Sequence, residues 1–248
     1  MKKNKCRGIL SDMELYPRFN KNYVHHQSSH IASVLKEVVF GMEDGMVSTL
    51  GSITGIAIGS GDHSMVILAG IVIISVESIS MGIGSYVSNL SHEEMNRRKI
   101  KEEQEELQNF PAEEKEELYQ MYLKDGWSEN LAAKMSGEAS QNPELILKEM
   151  TMHELKISNE EPTSARGGIF MFFAYIVGGL IPLFSYFFLP IKTALPLSIA
   201  VTLVGLFALG MGTTKFTKEP ILKSSLRMLL MGGLALGVGL LAGTFLGR

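Results

Sequence analysis

Cysteine is almost absent from this 248-residue chain, which contains only Cys6. A single cysteine excludes an internal disulfide and any metal site built from several thiolates. Tryptophan occurs once, and no glycine-rich phosphate-binding loop is present. No arrangement typical of an activated nucleophile is evident either. The sequence therefore predicts a protein that is not an enzyme and that is not driven by ATP.

What the chain does contain is long apolar runs. A helix needs about 20 mostly apolar residues to cross a bilayer. Five stretches meet this requirement, at approximately 38–59, 65–88, 167–189, 193–214 and 228–247. Their length, and the lack of strict alternation, favours helices over strands. We therefore predict an all-α, polytopic membrane protein with five transmembrane helices.

The basic residues predict how the chain is oriented. The segments 1–37, 89–166 and 215–227 hold 21 of the 23 Lys and Arg residues. Cytoplasmic loops carry such an excess, so we expect these segments and the N-terminus to be cytoplasmic. The expected location is the plasma (inner) membrane of a prokaryote or a vacuolar-type membrane of a eukaryote.

The same divisions define four parts of the chain. We predict an N-terminal tail at 1–37, two spans within 38–88, a cytoplasmic helical domain at 89–165 and three spans within 166–248. The cytoplasmic part is acidic, since residues 91–161 hold 18 of the 26 acids and 9 of the 23 basic residues. That balance favours cations over nucleic acid as partners. We expect three helical regions here: a continuation of the second span to 109, a helix from Pro111 to near Gly126, and a region after Trp127 that Gly137 and Pro143 punctuate.

Acidic residues inside the first two apolar runs are the most informative feature. Glu43 and Asp44 lie in the first run and Glu77 lies in the second. A charge at the centre of a bilayer costs a few kcal/mol, so such residues usually face a protein interior and mark an ion path. Glu77 also precedes Met81 by four residues, which places both on one helix face.

The acidic domain contains pairs of potential metal ligands that share a helix face. These pairs are Glu103 with Glu106, Glu114 with Glu117, and Met150 with Glu154. Antiparallel helices joined at Pro111 would bring the first two pairs together. Carboxylates suit hard and borderline divalent ions, and a thioether shifts preference toward transition metals. On spacing alone, however, glutamate runs such as EEQEE and EEKEE are more typical of a solvated helix face.

Several motifs resemble the vacuolar iron transporter family, which includes yeast, plant and prokaryotic proteins. They are DGMVSTL, ISMGIGSYVS, EEQEEL with FPAEEKEEL, KEMTMHEL and YIVGGLIPLFSYFF, in an order that agrees from about residue 36 to the C-terminus. The resemblance implies a homodimeric proton antiporter with its pore at the subunit interface. It implies Fe²⁺ as substrate, Mn²⁺ as a second substrate, movement out of the cytosol, and no permanently bound cofactor.

The resemblance also assigns residues. Asp44 and Met81 correspond to the family's pore residues, and the domain ligands correspond to Glu103, Glu106, Glu114, Glu117, Met150 and Glu154. Two positions depart from the pattern. Thr151 stands where a second methionine is common, and Ile73 stands where some members have a membrane glutamate. Glu77, one turn nearer to Met81, is the candidate replacement, and Glu43 is expected toward the cytoplasmic mouth of the pathway.

Two alternatives from other classes remain at this point. A membrane-anchored storage or sensing module would bind metal without transporting it, but an anchor needs no acids within its spans. A transporter of a non-metal solute, such as an organic cation, does not need Met81 or clustered glutamates.

Overall fold

The computed structural model describes residues 30–157 and 164–246, and within these ranges every regular element is an α-helix. The helices are α1 (His30–Ser60), α2 (His63–Asn109), α3 (Pro111–Lys124), α4 (Glu129–Ala139), α5 (Pro143–His153), α6 (Ser164–Phe188), α7 (Ile191–Thr217) and α8 (Ile221–Leu246). The all-α prediction is thus confirmed for these residues. Most of the predicted N-terminal tail lies outside the described residues.

Four of the described helices are long and apolar enough to cross a membrane, namely α2, α6, α7 and α8. Large apolar side chains such as Leu68 and Val76 in α2 and Leu234 in α8 are exposed on their surfaces, as expected for contact with lipid. The predicted first span, α1, is not among the four. Its apolar residues are interspersed with acids, glycines and hydroxyl side chains, which lower its mean hydropathy.

Helix α1 is nevertheless packed tightly among the apolar helices. A Cβ atom at Gly45 would collide with the backbone oxygen of Tyr175 in α6, and one at Gly51 would approach the oxygen of Ala235 in α8 to 2.9 Å. Met46 is fully buried and its sulfur faces Gly205 of α7. Because α1 touches three neighbouring helices, its acidic residues are held inside the helical bundle.

Helix α2 is continuous over 47 residues, as predicted, which corresponds to about 70 Å at 1.5 Å per residue. The Asp62 side chain caps its start by accepting hydrogen bonds from the backbone amides of Ser64 and Met65. The helix ends at Asn109, just before Pro111 begins α3. A helix of this length extends well beyond a hydrocarbon core of about 30 Å, so it joins the apolar bundle to the acidic domain.

The acidic domain has its own core and one more helix than predicted. Leu118, Tyr122, Ala132, Ile146 and Met150 are buried together where α3, α4 and α5 pack beside the end of α2. The expected helical region after Trp127 is divided into α4 and α5, and the second piece begins at Pro143, one of the two residues expected to punctuate it. Asn142 explains the division, since it accepts hydrogen bonds from two amides in the first turn of α5 and is followed by Pro143 at the first helical position.

Candidate ion pathway and metal-binding cluster

Asp44 and Glu77 are brought together from α1 and α2. Asp44 is half-buried on α1, and Glu77 is close enough for their negative charges to repel each other. The two helices are antiparallel because only residues 61–62 connect them. This arrangement brings position 44 of α1 to the level of position 77 of α2. Two neighbouring carboxylates on apolar helices, one half-buried and one at the surface, are an arrangement that a divalent cation would stabilise.

Glu77 lies on the surface of the single subunit, whereas Met81, one turn further along α2, is half-buried. The neighbours of Glu77 on this surface are apolar, and Val76 and Ile79 are both largely exposed. A carboxylate in such a band would face hydrocarbon if the subunit stood alone in the bilayer. This exposure requires a polar environment supplied from outside the subunit.

Glu43 points to a different neighbour from Asp44. It is half-buried, and Arg227 of α8 lies within its electrostatic reach. Arg227 also forms an ion pair with Glu219, with 3.6 Å between Nη2 and Oε2. The structure therefore places Glu43 beside the start of α8, on another side of α1 from the contact between Asp44 and Glu77.

The structure also places near Asp44 a tyrosine that we did not single out from the sequence. The Tyr175 side chain of α6 is fully buried, and its hydroxyl oxygen lies 2.5 Å from Ser48 Oγ on α1. Tyr175 lies within electrostatic reach of both Asp44 and Glu77. Ser48 follows Asp44 by four residues, a spacing that could have drawn attention to it, but nothing in the sequence indicates the contact with α6.

A further buried carboxylate, Glu37, lies on α1 seven residues before Asp44. It is 5% exposed and accepts hydrogen bonds from Ser85 Oγ at 3.0 Å and Asn89 Nδ2 at 3.3 Å, both on α2. Lys36 Nζ is 3.5 Å from Glu37 Oε1, the same oxygen that accepts the hydrogen bond from Asn89. The spacing of seven puts Glu37 on the same helix face as Asp44, and this signal was present in the sequence.

A groove runs beside Ser48 along the surface of the subunit. It is lined by α1, α2 and α8, and includes Ser48, Ser52, Ile73 and Ala235. Ile73 is the position where the resemblance led us to look for a second membrane glutamate. Here it contributes an apolar wall, and the polar groups of the groove are hydroxyls from α1.

Five of the six predicted domain ligands converge in what we call the glutamate cluster. It consists of Glu103, Glu106, Glu114, Glu117 and Glu154. Glu103 and Glu114 are almost fully buried, and the other three are exposed at the surface. The α2 and α3 pairs lie close enough for their charges to interact, and Glu154 joins them from the end of α5.

Burial and mutual repulsion shift the titration of the cluster. Desolvation, followed by the charge of Glu154, raises the pKa of Glu103 to about 8. Desolvation also raises the pKa of Glu114 and of Glu154. Glu103 is within hydrogen-bonding reach of both of these side chains, so the carboxyl groups can share protons. One oxygen of Glu103 and one of Glu114 are nevertheless buried without a hydrogen-bond partner.

The cluster is not arranged as a finished coordination site. Among the residues that the structure describes, no three His, Cys, Asp or Glu side chains are positioned to hold a metal ion as they stand. Met150 is fully buried in the domain core, Thr151 is buried beside it, and Met152 is exposed. A cation would therefore have to replace shared protons and draw the carboxylates together. The unpartnered buried oxygens of Glu103 and Glu114 suit that exchange.

His153, adjacent to Glu154 in sequence, points elsewhere. Its Nδ1 lies 2.9 Å from Asp125 Oδ2, and its Nε2 lies 3.5 Å from Glu149 Oε2. Tyr122 donates a hydrogen bond of 2.9 Å to the same Glu149 oxygen. This second polar group ties the end of α3 to α5 and is separate from the glutamate cluster.

Acids held within an apolar helical bundle, joined by one long helix to a carboxylate-rich domain, define a membrane protein built to handle cations. Comparison with known proteins identifies it further. The sequence model of the VIT family matches residues 35–244, and the chain belongs to this family.

Named relatives align over most of their length. The chain is 32% identical to vacuolar iron transporter 1 of Tulipa gesneriana over 214 residues, which is 85% of this chain and 87% of that protein. It is 28% identical to vacuolar iron transporter 1 of Arabidopsis thaliana, covering 85% and 86% of the two chains. It is also 28% identical to the vacuolar iron transporter of Plasmodium berghei, covering 89% and 84%. The predicted family is confirmed.

Proposed function

We propose that this protein transports Fe²⁺ out of the cytosol, with Mn²⁺ as a second substrate, in exchange for protons. Family membership supports iron transport, and the alignment with relatives named as iron transporters covers most of their length. The observation that carries the proposal within this chain is the pairing of Asp44, half-buried in the apolar bundle, with Glu77 on the surface of the same bundle. A storage module or an enzyme has no need of charged side chains at that depth.

The proposed topology has five spans, with α1 as the first. The surrounding helices α6, α7 and α8 shield most of α1 from lipid, which offsets its lower hydropathy. The proposed cytoplasmic parts are the N-terminal tail, the domain at 89–165 and the segment 215–227, because they carry nearly all basic residues. The remaining parts, 38–88, 166–214 and 228–248, form the membrane region.

A homodimer would resolve the exposure of Glu77. If the α1–α2 face of one subunit meets the same face of a second copy, two pairs of acids enclose a common path. Symmetric contacts of this kind are the commonest way in which subunits pair. Glu77 would then face an ion path at the interface instead of hydrocarbon, and Met81 would supply a softer ligand one turn away.

The proposed route begins in the cytosol at the glutamate cluster. Its exposed members, Glu106 and Glu117, would attract the ion first, and the buried Glu103 and Glu114 would replace part of its hydration shell. The ion would then reach Asp44 and Met81 in the membrane region. Each carboxylate can hold either a proton or the metal, so a proton returning along the same groups would promote release of the metal.

Ion flux into proteoliposomes tests this function. Purified protein, reconstituted under anaerobic conditions, should move Fe²⁺ and Mn²⁺ across the bilayer, and an acidic compartment on the far side should accelerate the flux. Binding of metal without flux would instead support the membrane-anchored storage or sensing module. Flux that is unaffected by a pH gradient would retain the transporter and refute the exchange with protons.

A further inference from the structure

We propose that Tyr175 is a positioning residue that holds Ser48 as a neutral oxygen ligand for the transported divalent cation. The proposal rests on the proposed transport function and adds two residues to its site. Three observations support it: the contact between the two hydroxyls, the position of Ser48 next to Asp44, and the close approach of α6 to α1 at this level.

The contact is short and enclosed on the Tyr175 side. The two hydroxyl oxygens are 2.5 Å apart, which is within the range of a strong O–H···O hydrogen bond. The Tyr175 ring is fully buried, so its hydroxyl has no access to bulk water. Ser48 is half-buried and also lines the groove between α1, α2 and α8. The hydrogen bond therefore fixes a side chain whose other side faces an open path.

The position of Ser48 relates it to Asp44. Residues four apart on a helix lie on the same face, so Ser48 is one turn from Asp44 toward the α1–α2 connection. A serine hydroxyl has two lone pairs and one hydrogen. Whichever hydroxyl donates in the contact with Tyr175, Ser48 Oγ keeps at least one lone pair for a cation. An ion leaving Asp44 would thus meet a fixed oxygen before it reaches the end of α1.

Backbone packing explains why Tyr175 can act as a rigid support. Its backbone oxygen lies against Gly45, the residue after Asp44, where any Cβ atom would collide with it. The neighbouring turn of α6 repeats the arrangement, since Gly178 lies against the backbone oxygen of Met42. The two helices are therefore in direct contact on either side of Asp44. This leaves the tyrosine ring little freedom to move its hydroxyl away from Ser48.

The same helix offers a matched control. Tyr186 is also in α6 and is also fully buried, but its hydroxyl has no hydrogen-bond partner among the described residues. Replacing either tyrosine with phenylalanine removes one oxygen atom from a buried ring. Only Tyr175→Phe removes the contact with Ser48.

The experiment compares five variants with the wild type in proteoliposomes: Tyr175→Phe, Tyr186→Phe, Ser48→Ala, Ser48→Thr and the double variant Tyr175→Phe with Ser48→Ala. Loss of one hydrogen bond of about 1 kcal/mol corresponds to about a fivefold weaker ion affinity. We expect the Fe²⁺ concentration for half-maximal flux to rise about fivefold in Tyr175→Phe and in Ser48→Ala. The double variant should match Ser48→Ala, because Tyr175 is proposed to act on the cation only through Ser48. Tyr186→Phe should match the wild type. Ser48→Thr, which keeps a hydroxyl, should retain most of the wild-type affinity.

Any of three outcomes would overturn the proposal. The first is that Tyr175→Phe matches Tyr186→Phe, the second is that the effects of the two single changes multiply in the double variant, and the third is that only the maximal rate falls. If Tyr175→Phe does not give monodisperse protein, an unchanged half-maximal concentration in Ser48→Ala is sufficient to refute it. Absence of flux in the wild type would refute the transport function itself, and is thus distinguishable from failure of this inference.

Discussion

The carboxyl groups of Glu103 in α2 and Glu154 at the end of α5 lie within hydrogen-bonding reach of each other. Glu103 is 2% exposed, and burial together with the charge of Glu154 raises its pKa to about 8. Near neutral pH the side chain of Glu103 is therefore mostly protonated, although a free glutamate is ionised. An incoming cation has to displace that proton, so the structure makes metal binding and proton release at this position alternatives.

Metal affinity of the purified protein should fall as the pH is lowered from 8 to 6. Each proton displaced on binding weakens the apparent affinity by about tenfold per pH unit below the pKa of the group. Titration calorimetry with Mn²⁺, which is stable in air, measures this directly. Equal affinity at pH 6 and pH 8 would contradict a role for the protonated form of Glu103.

Glu103→Gln should stabilise the metal-free protein in mildly alkaline solution. A carboxyl whose pKa is raised by folding favours the folded state below its unfolded pKa, near 4.5, and loses this advantage as the pH rises through about 8. The amide carries no charge to desolvate, so the melting temperature at pH 8.5 should rise by roughly 2–4 °C for each kcal/mol recovered. Thermal melts of both proteins at pH 5 provide the control, since the difference should be smaller there. A lower melting temperature for the variant at pH 8.5 would show that the ionised carboxylate is stabilised by contacts we have not identified.

The glutamates at cluster positions should bind metal, whereas those on the other faces of the same helices should not. Replacement of Glu103, Glu106, Glu114 and Glu117 by alanine should remove most of the Mn²⁺ binding measured by calorimetry, because two of these side chains are buried and all four approach one another. The matched control replaces Glu102, Glu105, Glu113 and Glu116, which are all exposed on the same two helices. Equal losses in the two quadruple variants would indicate a diffuse electrostatic effect of a solvated face.

Asp44→Ala should reduce Fe²⁺ flux at least 100-fold while leaving metal binding by the domain intact. The substitution removes the half-buried acid of the Asp44–Glu77 pair, and it does not touch the glutamate cluster, which lies on other helices. Flux in proteoliposomes and calorimetry on the same preparation separate the two effects. Flux near the wild-type rate would remove Asp44 from the mechanism.

The sequence was sufficient to predict the elements whose residues carry strong local signals. The continuity of α2 follows from an unbroken run without proline, and the start of α3 follows from Pro111. The meeting of the helix-pair glutamates follows from their spacing of three and the bend between α2 and α3. These features depend on residues that are close together in the chain.

The contacts that could not be predicted depend on packing between distant helices. Nothing in the local sequence indicates that Tyr175 reaches Ser48 or that Arg227 lies near Glu43, because both contacts depend on where glycines let the helices approach. Likewise, the exposure of Glu77 depends on how the helices pack around α2, which the local sequence does not indicate. The division between α4 and α5 is of a different kind, since Pro143 was expected to punctuate this region and the Asn142 cap before it, although not identified, is a local signal.

Glu77 provides the sharpest test of the proposed exchange with protons. Its carboxylate is close to that of Asp44, it lies one turn before Met81, and it is exposed on the face that we propose to be the dimer interface. A single ion could therefore meet both Glu77 and Met81, and protonation of Glu77 would weaken its hold on the metal. Glu77→Gln keeps the size of the side chain and mimics the protonated form.

The Glu77→Gln protein should fold and carry Fe²⁺ slowly, but it should lose the acceleration that an acidic far side gives to the wild type. The ratio of the Fe²⁺ flux with a pH gradient to the flux without one measures this acceleration. The ratio does not depend on the amount of active protein. Ser80→Ala, an exposed position on the same helix, controls for a general effect of substitution in α2. Full acceleration by the pH gradient in Glu77→Gln would show that Glu77 does not carry the proton. Asp44 would then be the remaining acid of the pair able to exchange a proton for the metal, because the amide at position 77 can neither bind nor release one.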